Sequence, residues 1–262
     1  MTLTVDLNAD LGESFGPWPM GADEALMEIV TSANVACGFH AGDPVTMDRT
    51  VERAVKNGVA IGAHPGFKDL EGFGRRRILG LSGQETTTMV RYQLGALQAI
   101  ARAHGARVTH VKSHGAFGNM ASESDELATI FVEAVRASDP DLIVVAMAAT
   151  ALERAAAAAD QPHVREVYAD RAYEDDGTLV ARNLPGAVLH DADQAADRVL
   201  RMLEEGAITS IHGHKLKVRP ETVCVHGDGP EAIAMARTVR RRLELAGVRL
   251  APFHRTLAEA KP

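Results

Sequence analysis

The sequence predicts an α/β fold, a single (β/α) barrel of seven parallel strands, and two observations carry that prediction. Strand-like and helix-like runs alternate along the whole chain, which implies a mostly parallel sheet with helical crossovers. In addition, five strand runs end in one kind of cluster, Gly with His, Asp or Lys. They read Val5-Asp-Leu-Asn-Ala-Asp-Leu-Gly-Glu13, Asn34-Val-Ala-Cys-Gly-Phe-His40, Ala60-Ile-Gly-Ala-His64, His110-Val-Lys-Ser-His-Gly115 and Val223-Cys-Val-His-Gly-Asp228. Polar groups at one strand end are ordinary loop chemistry. The same pattern after strand upon strand places many ends on one rim, where a β/α barrel builds its active site.

Strands are expected near 3–9, 33–38, 59–63, 107–112, 142–147, 165–169 and 222–226, where β-branched or apolar runs are bounded by Gly, Pro and Asp. Between them, Ala-, Leu-, Glu- and Arg-rich stretches predict helices over 22–32, 45–57, 84–104, 123–137, 150–159, 191–205 and 229–246. Ser82 with Glu85 reads as a capping box, and Ser122 with Asp125 as a weaker version of it. Gly58, Gly105 and Gly247 suit the left-handed position after a helix. Residues 65–80 form a Gly-rich basic loop, and 206–221 a small hairpin insertion. No low-complexity linker divides the chain, so residues 1–262 are expected to be one domain.

Hydrophobic residues make up 46% and charged residues 24% of the 262, enough apolar mass for a large core. A net charge of −7 disfavours a nucleic-acid or anionic-membrane partner. There is no 18-residue apolar run and no signal-peptide pattern, so a cytoplasmic location is expected. Cys37 and Cys224 sit in apolar runs without metal-type spacing and read as small buried hydrophobes. The sequence leaves homo-oligomer formation open.

Residues two apart on a strand share a face, so Asp6, Asn8 and Asp10 point one way and Val5, Leu7 and Ala9 the other. The acidic set should face the barrel axis, where it needs a cation or a metal. His110, Lys112 and His114 form a matching cationic face, and His226 and Asp228 also share a face by the same spacing. Asp170 and Arg171 close the sixth strand. His40, His64, His114 and His226 at four strand ends are hard to explain as packing. Asp10, His64 and His114 would make a carboxylate–imidazole triad for a divalent ion. The rival is a metal-free site in which Lys112 and Arg171 bind an anion while Asp and His move protons. Arg75 to Arg77 either close over an acidic ligand or form a solvated loop face. Gly227-Asp-Gly229 could present N–H groups to an anion, but no GxxxxGK[ST] loop occurs, and Ser14 and Ser113 lack a nucleophile-elbow context.

Several stretches, in order over nearly the whole chain, resemble the LamB/YcsF family, the A subunits of bacterial 5-oxoprolinase. They are Asp6 to Glu13, Ser32 to Pro44, Ile61 to Gly66, Gly72-Phe-Gly-Arg75, His110-Val-Lys112, Ala169 to Tyr173, Leu184 to Ala187 and Val225 to Asp228. One motif departs: Lys112-Ser-His-Gly-Ala-Phe-Gly-Asn119 has Ser113 and Gly118 where the family usually has Pro and Tyr, which alters the wall of the site. The resemblance implies a seven-stranded, TIM-like barrel of the glycoside hydrolase/deacetylase type. It implies hydrolysis of the lactam 5-oxo-L-proline to L-glutamate, with ATP as co-substrate and separate B and C subunits as partners. On that basis Asp10 or Glu13, assisted by His114, would activate water, and His226 or Asp170 would protonate the departing nitrogen. Asp6, Asn8, Asn34, His40, His64, Lys112, Arg171 and Asp228 would bind substrate, with Lys112 and Arg171 on its carboxylate or the phosphoryl oxygens. Two other functions fit the same residues: a metal-dependent deacetylase of N-acetylated sugars, and a non-catalytic component that presents the substrate.

Overall fold

The computed structural model describes residues 3–225 and 230–255. Seven parallel strands form the barrel: β1 (Thr4–Leu11), β2 (Ser32–Ala36), β3 (Ala60–His64), β4 (Val108–Val111), β5 (Ile143–Met147), β6 (His163–Tyr168) and, after a small hairpin, β9 (Thr222–Cys224). The hairpin is β7 (Ala207–Thr209) paired antiparallel with β8 (Lys215–Lys217). Each barrel strand pairs with the next, and β9 pairs with both β6 and β1, which closes the ring. A short β10 (Arg249–Leu250) continues the ladder of β9 along β1, matching Thr4 with Arg249 and Val5 with Leu250.

The crossovers carry helices α1 (Asp23–Met27), α2 (Pro44–Asn57), α3 (Gly83–Ala103), α4 (Gly115–Glu123), α5 (Asp125–Ser138), α6 (Ala151–Ala158), α7 (Ala192–Glu205) and α8 (Pro230–Leu245). Local chemistry sets their limits. Asp43 accepts the Val45 and Thr46 N–H groups ahead of Pro44, and Gly58 ends α2 at φ 66°. Ser82 and Glu85 make the expected reciprocal capping box of α3. The Ser122–Asp125 box does not form. Ser122 is buried inside α4, and Ser124 caps α5 by accepting from Leu127 N–H. The sequence reading missed α4 because Gly115 and Gly118 lower its helix propensity, which tertiary contacts override. Gly105 and Gly247 both take positive φ just past their helices, as expected.

Two separate apolar layers result. Outward-facing strand residues such as Leu7, Ala9, Val35 and Val111 join the helices in the main core. Ile143, Val145 and Val164 form a second cluster with Phe253, whose ring also meets His110 edge-on at 5.0 Å. Ile143 and Val164 lie at the starts of β5 and β6, so Phe253 floors the barrel at the end opposite the rim. No described helix is long and apolar enough to cross a membrane.

Candidate active site

Alternation on β1 sends Asp6, Asn8 and Asp10 inward at successive heights. Asp6 is lowest and accepts hydroxyl hydrogen bonds from Thr31, Ser32 and Thr222. Burial pushes its carboxyl up to about 6, with the hydroxyls only partly opposing. Above it, Asn34 Nδ2 donates to Asn8 Oδ1 at 2.8 Å and Asp10 Oδ1 at 3.0 Å, while Asn34 Oδ1 accepts from His110 Nε2 at 3.1 Å.

The next layer centres on Lys112. Its buried ammonium lies 2.8 Å from Glu166 Oε1, 3.1 Å from Asp10 Oδ1 and 3.2 Å from Cys224 Sγ, under the Tyr168 ring at 5.2 Å. Burial alone would discharge this lysine. The carboxylates of Asp10 and Glu166 reverse that and hold its pKa well above the ordinary lysine value. Asp10 is likewise pushed up by burial, but His64 and Lys112 outweigh this and keep it well below the usual carboxylate range. Burial drives the Cys224 thiol up.

At the rim the imidazoles converge. His114 Nδ1 is 3.0 Å from His64 Nε2, which is 3.2 Å from Asp10 Oδ2. Glu13 Oε1 lies 3.6 Å from His114 Nδ1 and 3.3 Å from His40 Nε2. The His40 and His114 rings stack at 3.6 Å and 4°. One ligand atom from each of Glu13, His40, His64 and His114 falls within 4.8 Å of the others, so this buried group can hold a metal ion. Burial, with neighbouring imidazoles, pushes His114 down to about 3 and His40 well below its usual value. Such packing demands a glycine. Gly74 has φ 62°, and a Cβ there would stand 2.6 Å from His40 Cβ and 2.7 Å from His114.

These groups face a cavity of about 440 Å³, within the range of small-molecule sites. Of the residues read from sequence, Asp10, Glu13, His64, Lys112, His114 and Arg171 line it. Asp6, Asn8, Asn34 and His40 are buried outside the lining, and Asp170 is buried beside Arg171. His226, Asp228 and the Gly227–Gly229 turn lie outside the described residues. The arginine run splits: Arg75 and Arg77 border the cavity, while Arg76 pairs with Asp69. Arg77 also pairs with Glu123, and Arg75 lies 5.0 Å over the Phe73 ring.

Sequence reasoning missed Glu166, Tyr168 and Cys224. Period-two counting back from Asp170 reaches both Tyr168 and Glu166, and back from His226 it reaches Cys224, so the signal was present. Cys37 is a buried thiol bonded to the Val35 carbonyl, whereas Cys224 is a polar neighbour of Lys112 rather than a filler.

Residues 5–258 match the model of the LamB/YcsF family. A 5-oxoprolinase A subunit of Bradyrhizobium diazoefficiens, the second so named there, is 56% identical over 252 residues, covering 96% of this chain and 98% of the relative. The 5-oxoprolinase A subunit of Rhodopseudomonas palustris is 55% identical over 251 residues, covering 96% and 99%. The crystal structure of the lactam utilization protein from Thermus thermophilus superposes with a TM-score of 0.89 at 44% identity, covering 95% and 99%. A deacetylase solved with substrate, T48, has a TM-score of 0.52 at 15% identity, a likeness of fold alone. The chain belongs to the LamB/YcsF family.

Proposed function

We propose that this chain is the A subunit of an ATP-dependent 5-oxoprolinase, opening the lactam of 5-oxo-L-proline to L-glutamate together with B and C subunits. The observation that carries this is whole-length similarity at 51–56% identity to proteins named as 5-oxoprolinase A subunits. The site is chemically suited to it. A five-membered lactam is a stable amide, so opening it needs an activated carbonyl, an activated water and a proton for the departing nitrogen. ATP activates the carbonyl oxygen, with the partner subunits supplying part of the nucleotide site.

Water activation falls to Glu13, whose carboxylate borders the cavity and is held by His40 at 3.3 Å. Asp10 and His114 stand beside it. Lys112 already balances Asp10 and Glu166, so it holds the charge of the site together. Arg171 is the buried cation at the cavity wall suited to the substrate carboxylate or a phosphoryl oxygen. Proton delivery to nitrogen is assigned to Asp170 or His226.

The test is glutamate formation from 5-oxoproline and ATP by the reconstituted three-subunit complex. Glu13→Gln should lower kcat about a hundredfold or more with the complex still assembled, the size expected for a lost general base. An undiminished rate in E13Q and D10N would remove the catalytic role, and no glutamate from the wild-type complex would remove the proposal. The imidazole–carboxylate cluster also suits a metal-dependent deacetylase of N-acetylated sugars; release of acetate from such a sugar, without 5-oxoproline turnover, would favour that reading.

A further inference from the structure

The rim histidines present a lone-pair problem that only a cation resolves. His64 Nδ1 lies 2.8 Å from the Lys112 carbonyl oxygen, and His114 Nε2 lies 2.8 Å from the Phe73 carbonyl oxygen. A carbonyl only accepts, so each of these nitrogens carries its ring's proton. The other nitrogens, His64 Nε2 and His114 Nδ1, are then bare lone pairs facing each other at 3.0 Å. Asp10 Oδ2 stands 3.2 Å from the first, and Glu13 Oε1 stands 3.6 Å from the second. Four acceptors thus point into one buried space.

We propose that a divalent ion of the zinc class binds there, held by Asp10 Oδ2, His64 Nε2 and His114 Nδ1, with Glu13 beside its open position. The spacing fits. Ligands about 2.0–2.1 Å from a tetrahedral ion lie roughly 3.3 Å apart, against the 3.0 and 3.2 Å seen here. The surroundings fit as well. Backbone carbonyls orient both imidazoles as outer partners of metal-bound histidines do. Asp10 keeps Oδ2 for the ion by giving Oδ1 to Lys112 and Asn34. His40 stacks on His114 and holds Glu13, fixing that carboxylate at the edge of the three ligands. When bound, such an ion supplies Lewis acidity toward a carbonyl oxygen in the cavity.

The experiment is cobalt(II) titration of the full-length, chelator-stripped chain, read by visible ligand-field absorption and by equilibrium dialysis, with no substrate present. One Co²⁺ per chain is expected, and a higher Tm with the metal than without. His64→Gln and His114→Gln should each weaken uptake at least about tenfold, while His104→Gln, at the surface pair with Asp48, leaves it unchanged. Should either buried variant fail to fold, imidazole NMR of the wild-type chain titrated with diamagnetic zinc(II) decides: the His64 and His114 ring nitrogens must shift as ligands, and those of His104, at the surface, must not. Absence of uptake, or equal uptake in wild type, H64Q and H114Q, overturns the proposal. Because uptake is read without substrate, its failure is separable from failure of the oxoprolinase reading.

Discussion

Asp6 shows how one buried carboxyl couples stability to pH. Its folded pKa, about 6, exceeds the unfolded value of 3.8. A raised carboxyl favours the protonated fold, so its contribution is complete below about pH 4 and is lost as pH rises through 6. A shift of that size corresponds to about 3 kcal/mol between those limits. Denaturant unfolding should therefore show Asp6→Asn losing less stability than wild type between pH 4 and 7, by about that amount. Parallel slopes in the two proteins would show that Asp6 does not titrate in this range. Period-two alternation made the inward direction of Asp6 legible in the sequence, but not its height. Height follows from register, Asp6 opposite Thr222 and Asp10 opposite Asn34, which no local pattern encodes. Lys112 was readable as a cation on the axis. That two carboxylates meet it was not, because Glu166 comes from a strand far off in sequence.

Among the elements, the loop from β3 to α3 does the most to shape the rim. Gly74 and Gly80 on it both have positive φ, 62° and 83°, but only Gly74 is crowded, by His40 and His114. Alanine at either position bears the left-handed cost of about 1–2 kcal/mol. Gly74→Ala should lose clearly more, since the added carbon forces the stacked imidazoles apart. Thermal unfolding of the two variants, compared directly, isolates that packing part; equal losses would mean the rings yield freely. Elements with strong local signals were legible: α3 from its capping box, α2 from Gly58 at its end. Helix α4 was not. Its two glycines argue against a helix, and what fixes it is contact with the Gly74 loop, where Ala116 N–H donates to the Gly74 carbonyl.

For the whole molecule, the decisive feature is closure. Strand β9 bridges β6 and β1, and alternation of elements foretold a closed parallel barrel. The floor was not foretold, since Phe253 lies after the last predicted helix in a stretch without periodicity. Phe253 is 2% exposed and packs with Ile143, Val145 and Val164 inside the ring. Phe253→Ala should cost about 3–5 kcal/mol, measured by denaturant unfolding. A loss under about 1 kcal/mol would mean the ring's interior does not depend on this plug.

Asn34 carries a consequence for how such a barrel can evolve. Its amide oxygen faces His110 and its amide nitrogen faces Asn8 and Asp10. The side chain cannot rotate end for end without placing acceptor against acceptor on the upper side. It acts as a one-way connector between the structural lower half and the chemical upper half. Substitutions on either side must respect the same donor-to-acceptor direction. The two halves are therefore free to change only together, and a new chemistry at the rim would have to begin with a rewiring of the axis beneath it.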